Sequence, residues 1–204
     1  TTSFYGSHII TAGGGGGMIM VNKDIWNDRA KVLRGWGRGS AIMNESEDLD
    51  KRFQSKIGNI PYDAKFIFGE IGYNFLPTEI GAAFGNAQLK KLPSFRKIRE
   101  KNFSYLLKFF QKYPKYFITP IQDEKVRTQW LAFPMTIREN APFTRLELVT
   151  FLEQNNIQTR PIFTGVITKQ PGFKHMKYRA ASDFKIAQEI MENGFVIGCH
   201  HGLK

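Results

Sequence analysis

Ser3-Phe4-Tyr5-Gly6-Ser7-His8-Ile9-Ile10-Thr11-Ala12, followed by the five consecutive glycines Gly13 to Gly17, is the stretch on which the reading of this chain turns. Thr2 to Tyr5 has the pattern of a strand end, and Met18-Ile19-Met20-Val21 beyond the glycines predicts a short buried strand. Between them runs a turn with little side-chain bulk that carries serine hydroxyls and one imidazole. Serine hydroxyls and glycine N–H groups suit a phosphate, and an imidazole suits proton transfer near neutral pH. Taken alone, the same residues also fit a structural histidine in a flexible loop.

Outward from this turn, residues from about Asp24 to Leu33 carry apolar positions at helical spacing, and Gly35-Trp36-Gly37 stops them. Asn44 to Asp50 reads as an exposed acidic loop. A helix buried on most sides is predicted from Thr78 to Leu89, with Pro77 near its start and Pro93 breaking it. Ser94 then caps an amphipathic helix to about Tyr113, with Phe95, Ile98, Phe103, Leu106, Leu107 and Phe110 on its apolar side. Strands are expected at Trp130 to Ile137, Ile157 to Ile162 and Phe195 to Cys199. Helices are expected after Thr144, with Glu147 in capping-box position, and from Ser182 to Glu192. This alternation predicts an α+β unit from about residue 95.

The bulk composition sets the bounds. With 204 residues, 42% hydrophobic and 23% charged, the chain has the material for a sizeable core in one or two domains. The single cysteine, Cys199, excludes an internal disulfide and any all-cysteine metal site within the chain. No apolar run reaches the roughly 20 residues that span a bilayer, and the N-terminal stretch lacks the pattern of a signal peptide. A cytoplasmic location and no membrane partner follow as expectations. The net charge of +11 favours anionic partners, among them phosphorylated small molecules. With no block of five basic residues and no basic stripe carrying aromatics, nucleic acid ranks low.

The motifs resemble one known family, the DegT/DnrJ/EryC1/StrS sugar aminotransferases, whose members look like S-F-x-x-x-K-x-x-T-x-G-E-G-G. This chain reads S-F-Y-G-S-H-I-I-T-A-G-G-G-G in the same register, with His8 at the lysine position. A subgroup makes this swap: the sugar 3-dehydratases, which look like S-F-Y-P-A-H-H-I-T-M-G-E-G-G. The likeness continues through Leu33-Arg34-Gly35-Trp36-Gly37-Arg38, Gly72-Tyr73-Asn74, Gln88-Leu89-Lys90-Lys91-Leu92-Pro93, Thr159-Arg160-Pro161 and Gly202-Leu203.

The resemblance implies an α/β fold of the PLP-dependent transferase type, fold type I. Residues 1–92 would be the C-terminal portion of the large cofactor-binding domain, and 93–204 the small α+β domain. It also implies that the chain matches only the C-terminal half of such an enzyme. A lysine amine condenses with pyridoxal, whereas imidazole cannot. The implied cofactor is therefore pyridoxamine 5'-phosphate, exchanging with pyridoxal 5'-phosphate, with His8 as the catalytic base and acid. Ser3 and Asn74 carry over as cofactor-phosphate residues. Asn74 does so across a subunit boundary, which implies a homodimer with a shared active site. Arg38 and Arg160 carry over as candidates for the carboxylate of glutamate, the amino donor, or for the diphosphate of a nucleotide sugar. His200 and His201 are candidates to line the site mouth, with a solvated tail as the preferred expectation.

One branch of the subgroup holds an iron–sulfur cluster on four thiolates; the matching stretch Arg34-Gly35-Trp36-Gly37-Arg38-Gly39-Ser40-Ala41-Ile42 has none, and no iron–sulfur cluster is expected within this chain. The implied substrate is a 4-keto-6-deoxy sugar, GDP-linked as in the cluster-free branch. Gly14 in place of glutamate, Gly6 in place of proline and Val166 in place of asparagine are departures that bear on sugar specificity. Three rivals stand beside this reading. A family aminotransferase needs a lysine, and neither neighbour of His8 is one. The others are a non-catalytic cofactor or sugar-nucleotide binder and a basic nucleic-acid module.

Overall fold

The computed structural model describes residues 1–44 and 46–203, and the chain divides into two compact units, Thr1–Leu89 and Lys90–Lys204. In the first unit, β1 (Thr2–Ser3) and β2 (Gly17–Met18) pair antiparallel, Thr2 opposite Met18 and Ser3 opposite Gly17. The predicted strand over Met18 to Val21 thus shortens to its first residue, and Met18, Ile19 and Met20 are exposed. Its apolar run finds a ladder partner only at Met18 and no covering layer among the described residues.

α1 (Asp24–Arg34) runs as predicted, with Asp24 in its first turn and Lys31 and Arg34 in its last, each sign suited to the helix dipole. Of the expected acidic loop, Glu45 lies outside the described residues, and Leu49 already belongs to a short helix, α2 (Leu49–Phe53). Asp48 caps it by accepting the Asp50 N–H at 3.0 Å. A hairpin of β3 (Lys56–Ile57) and β4 (Ile60–Pro61) follows.

The two helices expected on either side of Pro93 are one, α3 (Glu79–Phe110), with Pro93 inside it. Proline removes a single N–H from the helical ladder, and thirty-one other residues hold the run together. Ser94 is accordingly no cap; its hydroxyl donates back to the Lys91 carbonyl at 2.8 Å. The division between the two units falls within this helix.

The second unit is built on a four-stranded antiparallel sheet, in the order β5 (Phe117–Ile118), β6 (Phe133–Ile137), β8 (Gly194–Ile197), β7 (Thr159–Pro161). Along β6 the residues Phe133, Met135 and Ile137 are buried, while Pro134 and Thr136 are half-buried, the period of a strand with one covered face. With Phe195, Ile197, Cys199 and Phe103 of α3 they form one core. Leu106, Leu107 and Phe110 of α3 and Leu148, Val149 and Leu152 of α4 (Arg145–Gln154) pack against it.

Thr144 and Glu147 close the predicted capping box, each side chain accepting the other's backbone N–H. α5 (Lys185–Asn193) leads into β8. The expected strand over Trp130 to Ile137 begins only at Phe133, because Trp130 takes a left-handed backbone at φ 30°. By contrast, the first unit buries only Val32 and Ala64 among its described apolar residues, and leaves Ile71 96% and Ile80 84% exposed. No helix among the described residues is long and apolar enough to cross a membrane.

Candidate active site around His8

The turn after β1 is folded back on itself by its backbone. The Phe4 N–H donates to the Gly16 carbonyl (3.0 Å), Ala12 to Phe4 (3.2 Å) and His8 to Tyr5 (2.9 Å). Gly13, Gly14 and Gly16 take φ of 74°, 101° and 89°, values that strain any residue with a Cβ. These glycines let a thirteen-residue excursion close over two short strands. Behind it stands α3, started by Thr78, whose hydroxyl accepts the Gly81 N–H at 3.1 Å. A Cβ at Gly81 would lie 3.1 Å from the Ala12 carbonyl, and one at Gly85 would lie 3.6 Å from the Ala12 Cβ. Two glycines four apart share a helix face, and here that bare face seats the loop that carries His8. Sequence reading missed this pair; the spacing Gly81 to Gly85, beside the predicted loop, was the available signal.

His8 is half-buried, and its Nδ1 lies 3.0 Å from the Ser3 carbonyl oxygen. A carbonyl only accepts, so Nδ1 carries the hydrogen and the neutral ring keeps its lone pair on Nε2. The Tyr5 ring meets His8 edge-on, with centroids 6.1 Å apart. The Ser3 hydroxyl oxygen accepts the Tyr5 N–H at 3.2 Å, which leaves its hydrogen to donate elsewhere. Ser3 and His8 are thus brought together by direct contact, as a base and a hydroxyl donor on one turn.

Asn74 and Arg38 lie in the second part of the same unit. Gly35 forms an isolated antiparallel bridge with Asn74, and Arg38 forms one with Phe68. The Trp36 N–H donates to Tyr73 (2.8 Å), Tyr73 to Leu33 (2.7 Å) and Gly69 to Gly37 (2.9 Å). Asn74 is exposed. The Arg38 guanidinium lies 4.4 Å from the Trp36 ring centre and 5.8 Å from that of Phe68. Its Nε is buried without a hydrogen-bond partner. Nothing in the sequence patterns pointed to Phe68, which arrives through the backbone pairing.

Arg160 belongs to the second unit, on β7. Its Nη1 donates to its own neighbour's carbonyl, Thr159, at 2.6 Å, and lies 3.9 Å from Glu153. The Thr159 N–H and hydroxyl both donate to Glu153, and these bonds hold its carboxyl below the usual range. Arg160 also lines a cavity of about 290 Å³ with Arg145, Leu146, Val149, Pro161 and Phe195.

The expected solvated histidine tail is corrected at His201, while His200 is exposed. The His201 ring stacks on Phe95 at 3.6 Å with its Nδ1 buried, because the half-buried Phe95 offers it a flat apolar face. Asn102 holds the His200 carbonyl at 2.9 Å. Burial, then the charge of Arg99, then His200 lower the His201 pKa. Among the described residues no cluster of three or more His, Cys, Asp or Glu is placed to hold a metal ion.

In its mixed sheets and helices the chain superposes on PLP-dependent fold type I, aminotransferase-like proteins. The family model for the DegT/DnrJ/EryC1/StrS aminotransferase family matches residues 1–204, and the chain belongs to that family. It is 35% identical over its full length to the lipopolysaccharide biosynthesis protein RfbH of Salmonella typhimurium, and covers 47% of that protein. It is 32% identical over 98% of its length to the GDP-4-keto-6-deoxy-D-mannose 3-dehydratase of Yersinia pseudotuberculosis, covering 48% of it. The solved Escherichia coli enzyme of that name, with bound hydrated PLP, superposes with a TM-score of 0.78 at 29% identity over 98% of this chain and 49% of that one. A solved double variant of a homologous 3-dehydratase, with an adjacent serine and histidine replaced, gives a TM-score of 0.73 at 28% identity over 96% of this chain and 49% of that one. The chain spans about half the length of the curated relatives it matches.

Proposed function

We propose that this chain forms the C-terminal half of a pyridoxamine 5'-phosphate-dependent 3-dehydratase. Its substrate would be a nucleotide-linked 4-keto-6-deoxy sugar, GDP-linked as in the dehydratases it resembles. The observation that carries the reading is His8, whose proton is fixed on Nδ1 by the Ser3 carbonyl so that Nε2 is a free base. A serine directly before a histidine occurs once in this sequence, at Ser7-His8, and an adjacent serine and histidine are the pair replaced in the solved variant. The sparse burial of the first unit supports its reading as part of a larger cofactor-binding domain.

The donor set fits the cofactor. The Ser3 hydroxyl, its oxygen already engaged by the Tyr5 N–H, has a hydrogen left for a phosphate oxygen. The exposed side-chain amide of Asn74 is the second donor, given to the partner subunit's cofactor in a homodimer. When bound, pyridoxamine phosphate supplies an amine for the sugar ketone and a ring that accepts an electron pair. His8 Nε2 then accepts a proton, holds it, and returns it to the departing C3 hydroxyl oxygen. Imidazole forms no imine, so the residue at this position leaves the amine free, and glutamate restores it between turnovers.

The test combines the chain with the half its relatives carry beyond the match, and adds pyridoxamine phosphate, glutamate and GDP-4-keto-6-deoxymannose. The expected product has lost the C3 oxygen by mass, and His8→Asn abolishes it. An amino sugar as product would establish an aminotransferase instead, and an unchanged sugar with cofactor bound would leave a binding protein.

A further inference from the structure

In the second unit, α3 gathers lysines that stand apart in the sequence. Lys90, Lys97, Lys101, Lys108 and Lys112 follow one another at seven, four, seven and four residues. At about 3.6 residues per turn this spacing keeps all five within an arc of about 60°, along about 33 Å of helix. Lys112 stands just past Phe110, where the Gln111 N–H still donates to the Leu107 carbonyl at 2.9 Å and continues the turn. Phe103 and Phe110, which pack into the core, lie on the opposite side of the helix, and all five lysines are exposed. The fold thus assembles a basic stripe that the linear sequence does not display.

Among the described residues none of the five lysines forms an ion pair. Glu100 is the one acidic residue between Lys90 and Lys112, and it is engaged by Arg127 at 3.0 Å and Arg96 at 3.7 Å. Lys97 and Lys101, like Lys108 and Lys112, stand four apart, a spacing at which like charges destabilise a helix. An anionic surface laid against the stripe would relieve that repulsion. Beside the lysines runs a second row, Tyr105, Phe109 and Tyr113, 73%, 44% and 42% exposed, with the last two rings 5.5 Å apart. Water solvates the lysines and leaves these rings uncovered. Lipid headgroups over acyl chains meet both, taking the ammonium groups outside and the rings at the boundary.

We propose that this face of α3 is a docking surface for an anionic lipid bilayer, held by the five lysines and by the aromatic row beside them. The expectation of no membrane partner concerned a spanning segment, and attachment by charge at a surface needs none. A straight row on a convex helix fits a plane, whereas the phosphates of a nucleic-acid duplex follow a winding path. The forked donors that suit nucleic acid are turned elsewhere, Arg96 to Glu100 and Arg99 into the core. Each lysine brought to an anionic surface tightens attachment about fivefold.

The test is co-sedimentation of the full-length protein with vesicles of phosphatidylcholine alone and of an equal mixture with phosphatidylglycerol. Binding is expected only to the mixture, falling at least tenfold between about 50 and 200 mM salt. Replacing Lys97, Lys101 and Lys108 together by glutamine should weaken it about a hundredfold. The same three changed to arginine should stay within about threefold of the parent, which separates charge from a folding defect. Glutamine at Lys125, Lys174 and Lys177, exposed lysines off this face, removes an equal charge and should also cost less than about threefold. Tyr105→Ser should weaken binding several-fold with the lysines intact. Equal loss in the two glutamine triples, or no binding to the mixed vesicles, would overturn the proposal. Duplex DNA bound through the same lysines, with the vesicles left unbound, would assign the stripe to nucleic acid instead. No arm uses cofactor or sugar, so the dehydratase reading and this proposal stand or fall separately.

Discussion

Gly37→Ala is the most severe single methyl that the first unit can be given. The new Cβ would lie 1.8 Å from the Glu70 carbonyl oxygen and 2.7 Å from its carbon. The first distance is roughly 1.6 Å short of an ordinary contact, so the 69–72 segment must withdraw. Withdrawal breaks the bonds from Gly69 (2.9 Å) and Glu70 (3.3 Å) to the Gly37 carbonyl, each worth about 1 kcal/mol. A residue with a Cβ at φ 84° adds about 1–2 kcal/mol of backbone strain. The total is about 3–4 kcal/mol of stability in this unit. Gly39→Ala is the matched control, since a Cβ there meets nothing within 4 Å; it should stay within about 0.5 kcal/mol of the parent. Urea unfolding followed by tryptophan emission, with the slope checked for each variant, measures both. If the two alanines cost the same, the clasp of Trp36-Gly37-Arg38 against the 69–72 segment is not what holds this turn.

Thr144→Ala removes the side-chain half of the capping box at α4 and should cost about 1 kcal/mol by thermal or chemical unfolding; Thr144→Ser should restore most of it. Phe133→Ala, at a fully buried position beside Phe103 and Phe110, should cost about 3–5 kcal/mol in the second unit, and a loss below 1 kcal/mol would contradict the packing described. For His201, the folded-state pKa lies below the unfolded value. Its contribution to stability is therefore full above about pH 6.5 and fades as pH falls through the lowered pKa. His201→Phe keeps the stack on Phe95 and should flatten that part of the melting-temperature profile between pH 7 and 5; an unchanged profile would remove His201 as its source.

Much of the second unit was legible in the sequence because its signals are local. Thr144 and Glu147 sit three apart, β6 alternates, and Phe103, Leu106, Leu107 and Phe110 repeat at helical spacing. The helix over Asp24 to Arg34 and its stop at Gly35 were read for the same reason. What failed depended on energy set by distant partners. Pro93 reads locally as a helix end, yet it sits inside α3, since one absent N–H is outweighed by a long cooperative run. Trp130 looks like a strand residue, but Arg99 holds the Trp130 and Leu131 carbonyls at 3.2 and 3.1 Å, and this fixes a left-handed turn. In the candidate site, His8 and Ser3 could be singled out from the motif. Their direct contact, the bare Gly81–Gly85 face and the ring of Phe68 beside Arg38 could not, because each depends on where the backbone folds back.

Ser3 touches the chemistry twice, through different atoms. Its carbonyl meets His8 Nδ1, and in the proposed function its hydroxyl is the donor offered to the cofactor phosphate. A carbonyl is common to all twenty amino acids, so orientation of the base is a property of the chain path and survives any side chain placed at this position. Ser3→Ala should therefore separate the two roles, weakening cofactor retention while the histidine keeps its tautomer. A new side chain at this position can therefore alter what the turn binds without resetting how its imidazole is aimed.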